Sequence, residues 1–337
     1  MARHSSVISQ RAVSIPGGFG SGSRAWHPSS IGLLLAVVSA ATFATSGALA
    51  RALLDSGWSP GAAVLARIGG ASLVLAYPTW RAMRTQRVSI RRTWSTVASY
   101  GLIAVAGGQL CYFAAVGYLS PAVALLIEYL APALLVGWAW ARYGRRPARR
   151  TLLGLGACLI GLACVVGLTA GQRLDPRGVA WGLAAAVCLA VFFHLSARTA
   201  DTIGALPLTG AGLLVGAVAL AAAGAVGALP LRAATTNVTL AETSMSWWIP
   251  VVGLVLISTA FPYVVGVVAT RALGATSASI VGLTEVCFSA FWAWLLLAQL
   301  PTSLQLLGGL ILLIGVAIVQ YPGSHRPQPT TESPGAG

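Results

Sequence analysis

Long stretches without a charged residue constrain this chain more than any other feature. A transmembrane α-helix needs about 20 predominantly apolar residues. The uncharged stretches cover residues 31–50, 93–127, 151–172, 178–197, 202–231, 243–270 and 286–325. The chain is 57% hydrophobic and only 8% charged, with a mean hydropathy of +0.81, which excludes an ordinary soluble globular domain. We therefore predict an all-α polytopic membrane protein.

Several uncharged stretches are too long for one crossing, so the chain must turn back within them. Glycine, proline and serine punctuation divides the sequence into ten predicted transmembrane helices. These are near 31–50, 60–80, 95–117, 121–141, 151–170, 178–198, 207–229, 247–270, 276–298 and 304–321. Proline supports the division, because Pro60, Pro121, Pro207 and Pro250 stand at predicted helix starts, where the missing N–H breaks no intrahelical hydrogen bond.

The chain contains an internal repeat that aligns two isolated acidic residues. One copy reads GYLSPAVALLIEYLAPALLVGWAW from Gly117, and the other reads GATSASIVGLTEVCFSAFWAWLLL from Gly274. At this offset of 157 residues, Glu128 of the first copy aligns with Glu285 of the second. Both glutamates lie within long apolar segments.

A second match extends the repeat to the end of each copy, where LLGLGACLIG from Leu152 aligns with LLGGLILLIG from Leu306. Each copy holds five predicted helices, an odd number, so the second must enter the membrane upside down relative to the first. We predict an inverted five-plus-five repeat, with its halves at 31–170 and 178–321. The flanking segments 1–30 and 322–337 are predicted to be disordered and cytoplasmic.

The positive charge lies between the apolar spans rather than on one polar surface, which excludes a nucleic-acid-binding protein. The net charge is +14, from 21 arginines and no lysine. Sixteen arginines fall on one predicted side: 3, 11, 24, 81, 84, 87, 91, 92, 142, 145, 146, 149, 150, 198, 271 and 326. Four fall on the other side: 51, 173, 177 and 232. The positive-inside rule then predicts a multi-pass plasma-membrane protein with both termini in the cytoplasm.

The aligned glutamates are the leading candidates for a functional site. A carboxylate at the bilayer centre costs about 2.5–3.5 kcal/mol on the most lenient scale, so an intramembrane acid suggests a function. Pro132 follows Glu128 by four residues and cannot donate a hydrogen bond to its carbonyl, whereas Ser289 holds that place after Glu285. Burial favours the protonated form of a carboxyl group, which would suit proton coupling. The alternative is a neutral, hydrogen-bonded structural carboxyl.

Other polar residues are weaker candidates. Arg67 in the second helix could pair with a glutamate or bind a substrate carboxylate, or it could snorkel to the surface. Pro262 frees the carbonyl of Ser258, which gives either a gating kink or simple packing. Four further residues could line a cavity or bond within their own helices: Thr42, Thr45, Ser46 and Gln109.

Catalytic and metal signatures do not emerge from the sequence. His194 has no Cys, Asp or second His at ligand spacing, so no metal site is predicted. The five cysteines are odd in number and lie in apolar spans, as expected for packing residues. No nucleotide-binding motif is present, which argues against a primary pump, and no cofactor is predicted.

Several features of the chain resemble the EamA-like domains of the drug/metabolite transporter superfamily over roughly residues 31–321. They are the paired five-helix halves, the arginine in AAVLARIGGASLVLA, the Glu-x-x-x-Pro in LIEYLAPALLVGWAW and the closing LLGGLILLIGVAIV. The LIEYLAP stretch is similar to the amino-acid exporter branch that includes threonine and homoserine exporters.

This resemblance implies a secondary transporter that exports a small solute, such as an amino-acid-like compound, by alternating access. Its partners would be that solute, the lipid bilayer and, if transport is coupled, H⁺; the oligomeric state is left open. Two alternatives from other classes are an intramembrane enzyme acting on a lipid carrier and a membrane sensor or scaffold without transport. The glutamates would be dispensable in a scaffold.

Overall fold

The computed structural model describes residues 28–86, 90–116, 118–119, 121–144, 146–166, 174–240, 243–297 and 302–320. The predicted disordered segments 1–30 and 322–337 lie outside these ranges, except for 28–30, which form the start of the first helix. Most of the described residues are helical.

The first half of the chain is helical throughout its described elements. These are α1 (Pro28–Phe43), α2 (Thr45–Asp55), α3 (Pro60–Thr85), α4 (Ile90–Ser99), the π-helical segment π1 (Tyr100–Gly107), α5 (Gly108–Val116), α6 (Pro121–Glu128), α7 (Ala131–Tyr143) and α8 (Arg149–Val166).

The second half adds a small β-hairpin to a similar series. Its elements are α9 (Pro176–Arg198), α10 (Ala205–Ala225), β1 (Val238–Leu240), β2 (Thr243–Met245), α11 (Trp248–Val255), the π-helical segment π2 (Leu256–Ala260), α12 (Phe261–Leu273), α13 (Ala275–Gly282), α14 (Thr284–Leu297) and α15 (Ser303–Gln320). Strands β1 and β2 pair antiparallel.

Seven helical stretches of the described chain are long and apolar enough to cross a membrane. They are Ser30–Asp55, Pro60–Thr85, Val123–Tyr143, Pro176–Arg198, Ala205–Ala225, Trp248–Leu273 and Ala275–Leu296. A shorter apolar helix covers Ser303–Val319. The protein is thus a polytopic helical membrane protein. Its division into ten crossings, as an inverted five-plus-five repeat, stays a prediction.

Several predicted helices are interrupted. The predicted span 121–141 breaks between α6 and α7, where Pro132 begins the new helix. The stretches Ser30–Asp55 and Ala275–Leu296 correspond to the predicted spans 31–50 and 276–298. Each is interrupted without a proline, at Ala44 and at Leu283. Segments π1 and π2 lie within the third and eighth predicted spans, so the π-helices occupy corresponding helices of the two copies.

Helices α8 and α15 pack so closely that only glycine fits at their contacts. A β-carbon on Gly161 would lie 2.5 Å from the Gly308 carbonyl oxygen, and one on Gly154 would lie 2.7 Å from the Gly315 carbonyl oxygen. Since 154 pairs with 315 and 161 with 308, the two helices run antiparallel. These glycines are also equivalent in the repeat, because 154 aligns with 308 and 161 with 315.

Hydrogen bonds tie the chain together at the end of the bundle that carries the β-hairpin, here called the hairpin end. The Trp58 indole N–H donates to the Ala234 carbonyl at 2.7 Å. The Ser59 hydroxyl donates to the Pro230 carbonyl, also at 2.7 Å. These bonds join the loop between α2 and α3 to the loop after α10, and so join the two halves.

One arginine, Arg271, joins two helices at the opposite end of the bundle, here called the arginine end. Arg271, in the last turn of α12, donates from Nε to the Ser196 carbonyl at 3.2 Å. Its Nη2 donates to the Ile203 carbonyl at 2.8 Å and to the Thr199 hydroxyl at 3.4 Å. The guanidinium therefore caps the C-terminal end of α9, and it holds α9 against α12.

Candidate functional site

A cavity of about 340 Å³ lies in the middle of the bundle and is lined by residues of both halves. Glu128 from α6, Arg67 from α3 and Glu285 from α14 all contribute to its lining. The two repeat-equivalent glutamates thus face one space, although 157 residues separate them. The volume falls within the range of ordinary small-molecule pockets.

The cavity reaches one end of the bundle and is closed towards the other. Along α1 and α2 the lining residues recur every three to four positions, so one helix face borders the cavity. This face continues to Arg51 at the hairpin end, whose side chain is 63% exposed. Towards the arginine end, the lining stops at the buried residues Ala36, Thr270 and Ala278. Among the described residues, the cavity lining therefore reaches an exposed side chain at the hairpin end and ends at buried residues towards the arginine end.

Arg67 is buried, with 8% of its surface exposed, and is held by the second half of the chain. Its Nε donates to the Thr259 hydroxyl at 3.1 Å, and its Nη2 donates to the Ser258 carbonyl at 3.3 Å. Because Pro262 has no N–H, the Ser258 carbonyl lacks its α-helical donor, and the guanidinium supplies one. Phe43 covers the cation, with its ring centroid 5.6 Å from the guanidinium carbon.

Glu128 is the last residue of α6, at the break that precedes α7. Two bonds shape this break: the Tyr129 N–H donates to the Leu125 carbonyl at 3.0 Å, and the Leu130 N–H donates to the Ile127 carbonyl at 3.1 Å. Pro132, in the first turn of α7, is itself buried and is absent from the described cavity lining. Pro132 thus lies at the break and not in the described lining of the cavity.

Glu285 lies in the first turn of α14, directly after the break at Leu283. The Thr284 hydroxyl closes the break by donating to the Val281 carbonyl at 2.8 Å. A helix N-terminus carries a partial positive charge that stabilises a nearby carboxylate. The Tyr129 hydroxyl also interacts with the Glu285 carboxyl, and Ser289 lines the cavity one turn further along.

The charged residues of the cavity act on one another without direct pairing. Arg67 interacts electrostatically with both glutamates, yet in the described part of the chain the ion pair within 4.0 Å is Arg51–Asp55. Neither Glu128 nor Glu285 is therefore neutralised by a contacting cation in this conformation. With both acids ionised, the three central charges sum to −1.

Aromatic rings form one wall of the cavity. The Phe43 and Tyr263 rings lie 5.1 Å apart, and Phe192 lies 5.8 Å from Tyr263 and 5.1 Å from Phe193. Tyr112 and Tyr129 add two further rings to the lining. Sequence reasoning missed this wall, because aromatic residues in apolar spans give no signal of which face points inward.

The remaining sequence-predicted residues divide into two groups. Ser46, Gln109 and Pro262 line the cavity. The Pro262 carbonyl also accepts a bond from the Ser39 hydroxyl at 2.8 Å. The hydroxyls of Thr42 and Thr45 donate to carbonyls of their own helical stretch, as membrane threonines commonly do.

No three His, Cys, Asp or Glu side chains of the described residues come together as a metal site would require.

The fold and the cavity define a polytopic helical membrane protein with a solute-sized space between its halves. The chain belongs to the EamA-like transporter family, whose signature matches residues 30–167 and 176–321. It is thus a membrane transporter.

One relative agrees with this assignment, and one solved structure shares the fold. The chain is 24% identical over 302 residues to the uncharacterized inner membrane transporter YicL of Salmonella typhimurium strain LT2, which covers 88% of this chain and 97% of that protein. The chain also matches a solved crystal structure, with a TM-score of 0.65 and 21% identity. The match covers 86% of this chain and 96% of the chain in that structure. That likeness shows the fold. The family and the transporter relative point to a transporter rather than an enzyme.

Proposed function

We propose that the protein is a secondary transporter that exports small amine-bearing metabolites, such as amino-acid-like compounds, across the plasma membrane in exchange for protons. The observation that carries this proposal is the cavity, which is open at one end and lined by Glu128, Glu285 and Arg67. A carboxylate can hold either a proton or an ammonium group, so the same acids could serve both solutes in turn.

The proposed orientation of the protein in the membrane rests on the arginine distribution, and the proposed direction of transport rests on the sequence resemblance. With the termini in the cytoplasm, the hairpin end faces outward, and the cavity is open to the outside. Alternating access would then require a second conformation that opens the arginine end. The name of the Salmonella relative, an inner membrane transporter, supports the plasma-membrane location.

Uptake into inverted vesicles tests this function. Solutes from a panel of amino-acid-like compounds should accumulate when the vesicle interior is acidic, and they should not accumulate when the gradient is collapsed. Glu128→Gln keeps the size of the side chain but removes its charge, so gradient-driven uptake should be lost while the amount of protein in the membrane is unchanged. Glu285→Gln should have the same or a smaller effect.

Gradient-free exchange of a labelled solute separates coupling from binding. A variant that has lost driven uptake but retains exchange has lost a coupling acid, whereas loss of both indicates a binding or structural role. If the Glu128→Gln/Glu285→Gln double variant shows normal driven uptake, the carboxyl mechanism is wrong.

A further inference from the structure

We propose that the cavity recognises its solute through a protonated amine attached to an apolar body, and that a carboxylate on the solute is not required. This inference rests on the proposed function and narrows its substrate class. It follows from how the structure holds the cation of the cavity by hydrogen bonds, whereas the two acids have no ion-pair partner among the described residues.

The arginine that could bind a solute carboxylate is already engaged. Two of the three guanidinium nitrogens of Arg67 donate to Ser258 and Thr259. Phe43 lies against the guanidinium. Turning Arg67 towards a solute would break both of these bonds in a buried environment, which is unfavourable. Arg67 thus hydrogen-bonds to the eighth predicted helix. Its guanidinium adds positive charge to the cavity but is not free to bind a carboxylate through two nitrogens.

The carboxyl groups of the cavity, unlike the Arg67 guanidinium, are not held by a charged partner among the described residues. Neither Glu128 nor Glu285 has an ion-pair partner among the described residues, and both are only partly buried. Even partial removal of a charge from water is costly when the charge has no partner, and a contacting cation relieves that cost. One protonated amine would balance the net charge of the cavity.

The aromatic wall specifies the rest of the solute. Phe43, Tyr263, Phe192 and Phe193 present ring surfaces that bury apolar groups, and ring faces also attract an ammonium group. A solute with an amine at one end and a compact apolar body at the other would meet both parts of the lining.

Three probes with the same phenyl body separate the charged groups. They are 2-phenylethylammonium, which has only the amine; phenylalanine, which has both groups; and 3-phenylpropionate, which has only the carboxylate. Binding to the purified full-length protein in lipid nanodiscs would be measured by calorimetry. We expect 2-phenylethylammonium to bind at least as tightly as phenylalanine and at least about tenfold more tightly than 3-phenylpropionate.

Two outcomes would overturn the inference. One is phenylalanine or 3-phenylpropionate binding about tenfold more tightly than the amine. The other is the absence of saturable amine binding up to about 10 mM.

Glu128→Gln and Glu285→Gln should each weaken amine binding about tenfold or more. The matched control is Asp201→Asn, an acid-to-amide change at an exposed position outside the cavity lining, which should leave binding unchanged.

Vesicle transport distinguishes this inference from the proposed function. If the amine binds as expected but no amine accumulates in vesicles under a pH gradient, the transport proposal fails and the binding inference stands. If phenylalanine is transported but the carboxylate proves essential for binding, the transport proposal stands and the inference fails.

Discussion

Substitution of Gly161 by alanine tests the contact between α8 and α15 most directly. The added β-carbon would lie 2.5 Å from the Gly308 oxygen and from the Leu312 nitrogen. Ordinary van der Waals contact begins near 3.4 Å, so the helices must separate by about 0.9 Å, since backbone atoms cannot rotate away. Association of membrane helices depends on close packing, and a gap of this size forfeits about a quarter to a half of each contact energy.

The expected cost follows from two opposing terms. Overpacking of this kind costs about 1–3 kcal/mol, and alanine recovers up to about 1 kcal/mol over glycine in helix propensity. With the full gain in propensity, we therefore expect Gly161→Ala to lower the free energy of unfolding by up to about 2 kcal/mol. Reversible unfolding in mixed detergent micelles, followed by circular dichroism, would measure this loss.

A glycine on the same helix provides the control. A β-carbon on Gly156 would meet nothing within 4 Å, so Gly156→Ala should be neutral or stabilising by up to about 1 kcal/mol. Gly308→Ala should resemble Gly161→Ala, because its β-carbon would lie 2.6 Å from Cys164 Cβ. The packing argument is refuted if the Gly161 and Gly156 variants are equally stable.

Three further predictions concern the breaks, the ends and the orientation. Pro132→Ala should restore the hydrogen bond to the Glu128 carbonyl and impair vesicle transport without lowering membrane abundance; unchanged kinetics would reduce Pro132 to a packing role. Arg271→Gln removes the guanidinium that joins α9 to α12 by hydrogen bonds. A cysteine placed at Ala278 in a cysteine-free chain should then react about tenfold faster with a membrane-impermeant thiol reagent added from the arginine end. An unchanged rate would contradict the view that Arg271 keeps this end of the cavity closed. Reporter fusions after Arg92 and Arg150 should be cytoplasmic and fusions near Asp175 and Glu242 external, and cytoplasmic signals at both external sites would overturn the orientation.

Some of this architecture could be predicted because it depends on local chemistry. The break near Glu128 follows from Pro132, and the repeat places Glu285 in register with it. The breaks at Ala44 and Leu283 have no proline and depend on packing against other helices, which one sequence does not reveal. The inward-facing rings of Phe43 and Tyr263 could not be distinguished from other aromatic residues for the same reason.

The freed carbonyl of Ser258 shows where sequence reasoning ends and packing begins. Proline chemistry predicts that this oxygen needs another donor, but only the fold reveals that Arg67, from the other half of the chain, supplies it. The Ser39 hydroxyl also crosses between the halves, to the carbonyl of Pro262 itself. Both bonds lie at the middle of the bundle, where the halves of the predicted inverted repeat would be displaced least by a rocking motion. The bonds of Ser59 and Arg271 lie at its ends, where displacement is largest. We therefore expect the central bonds to persist through transport, and the end bonds to exchange as access to the cavity alternates.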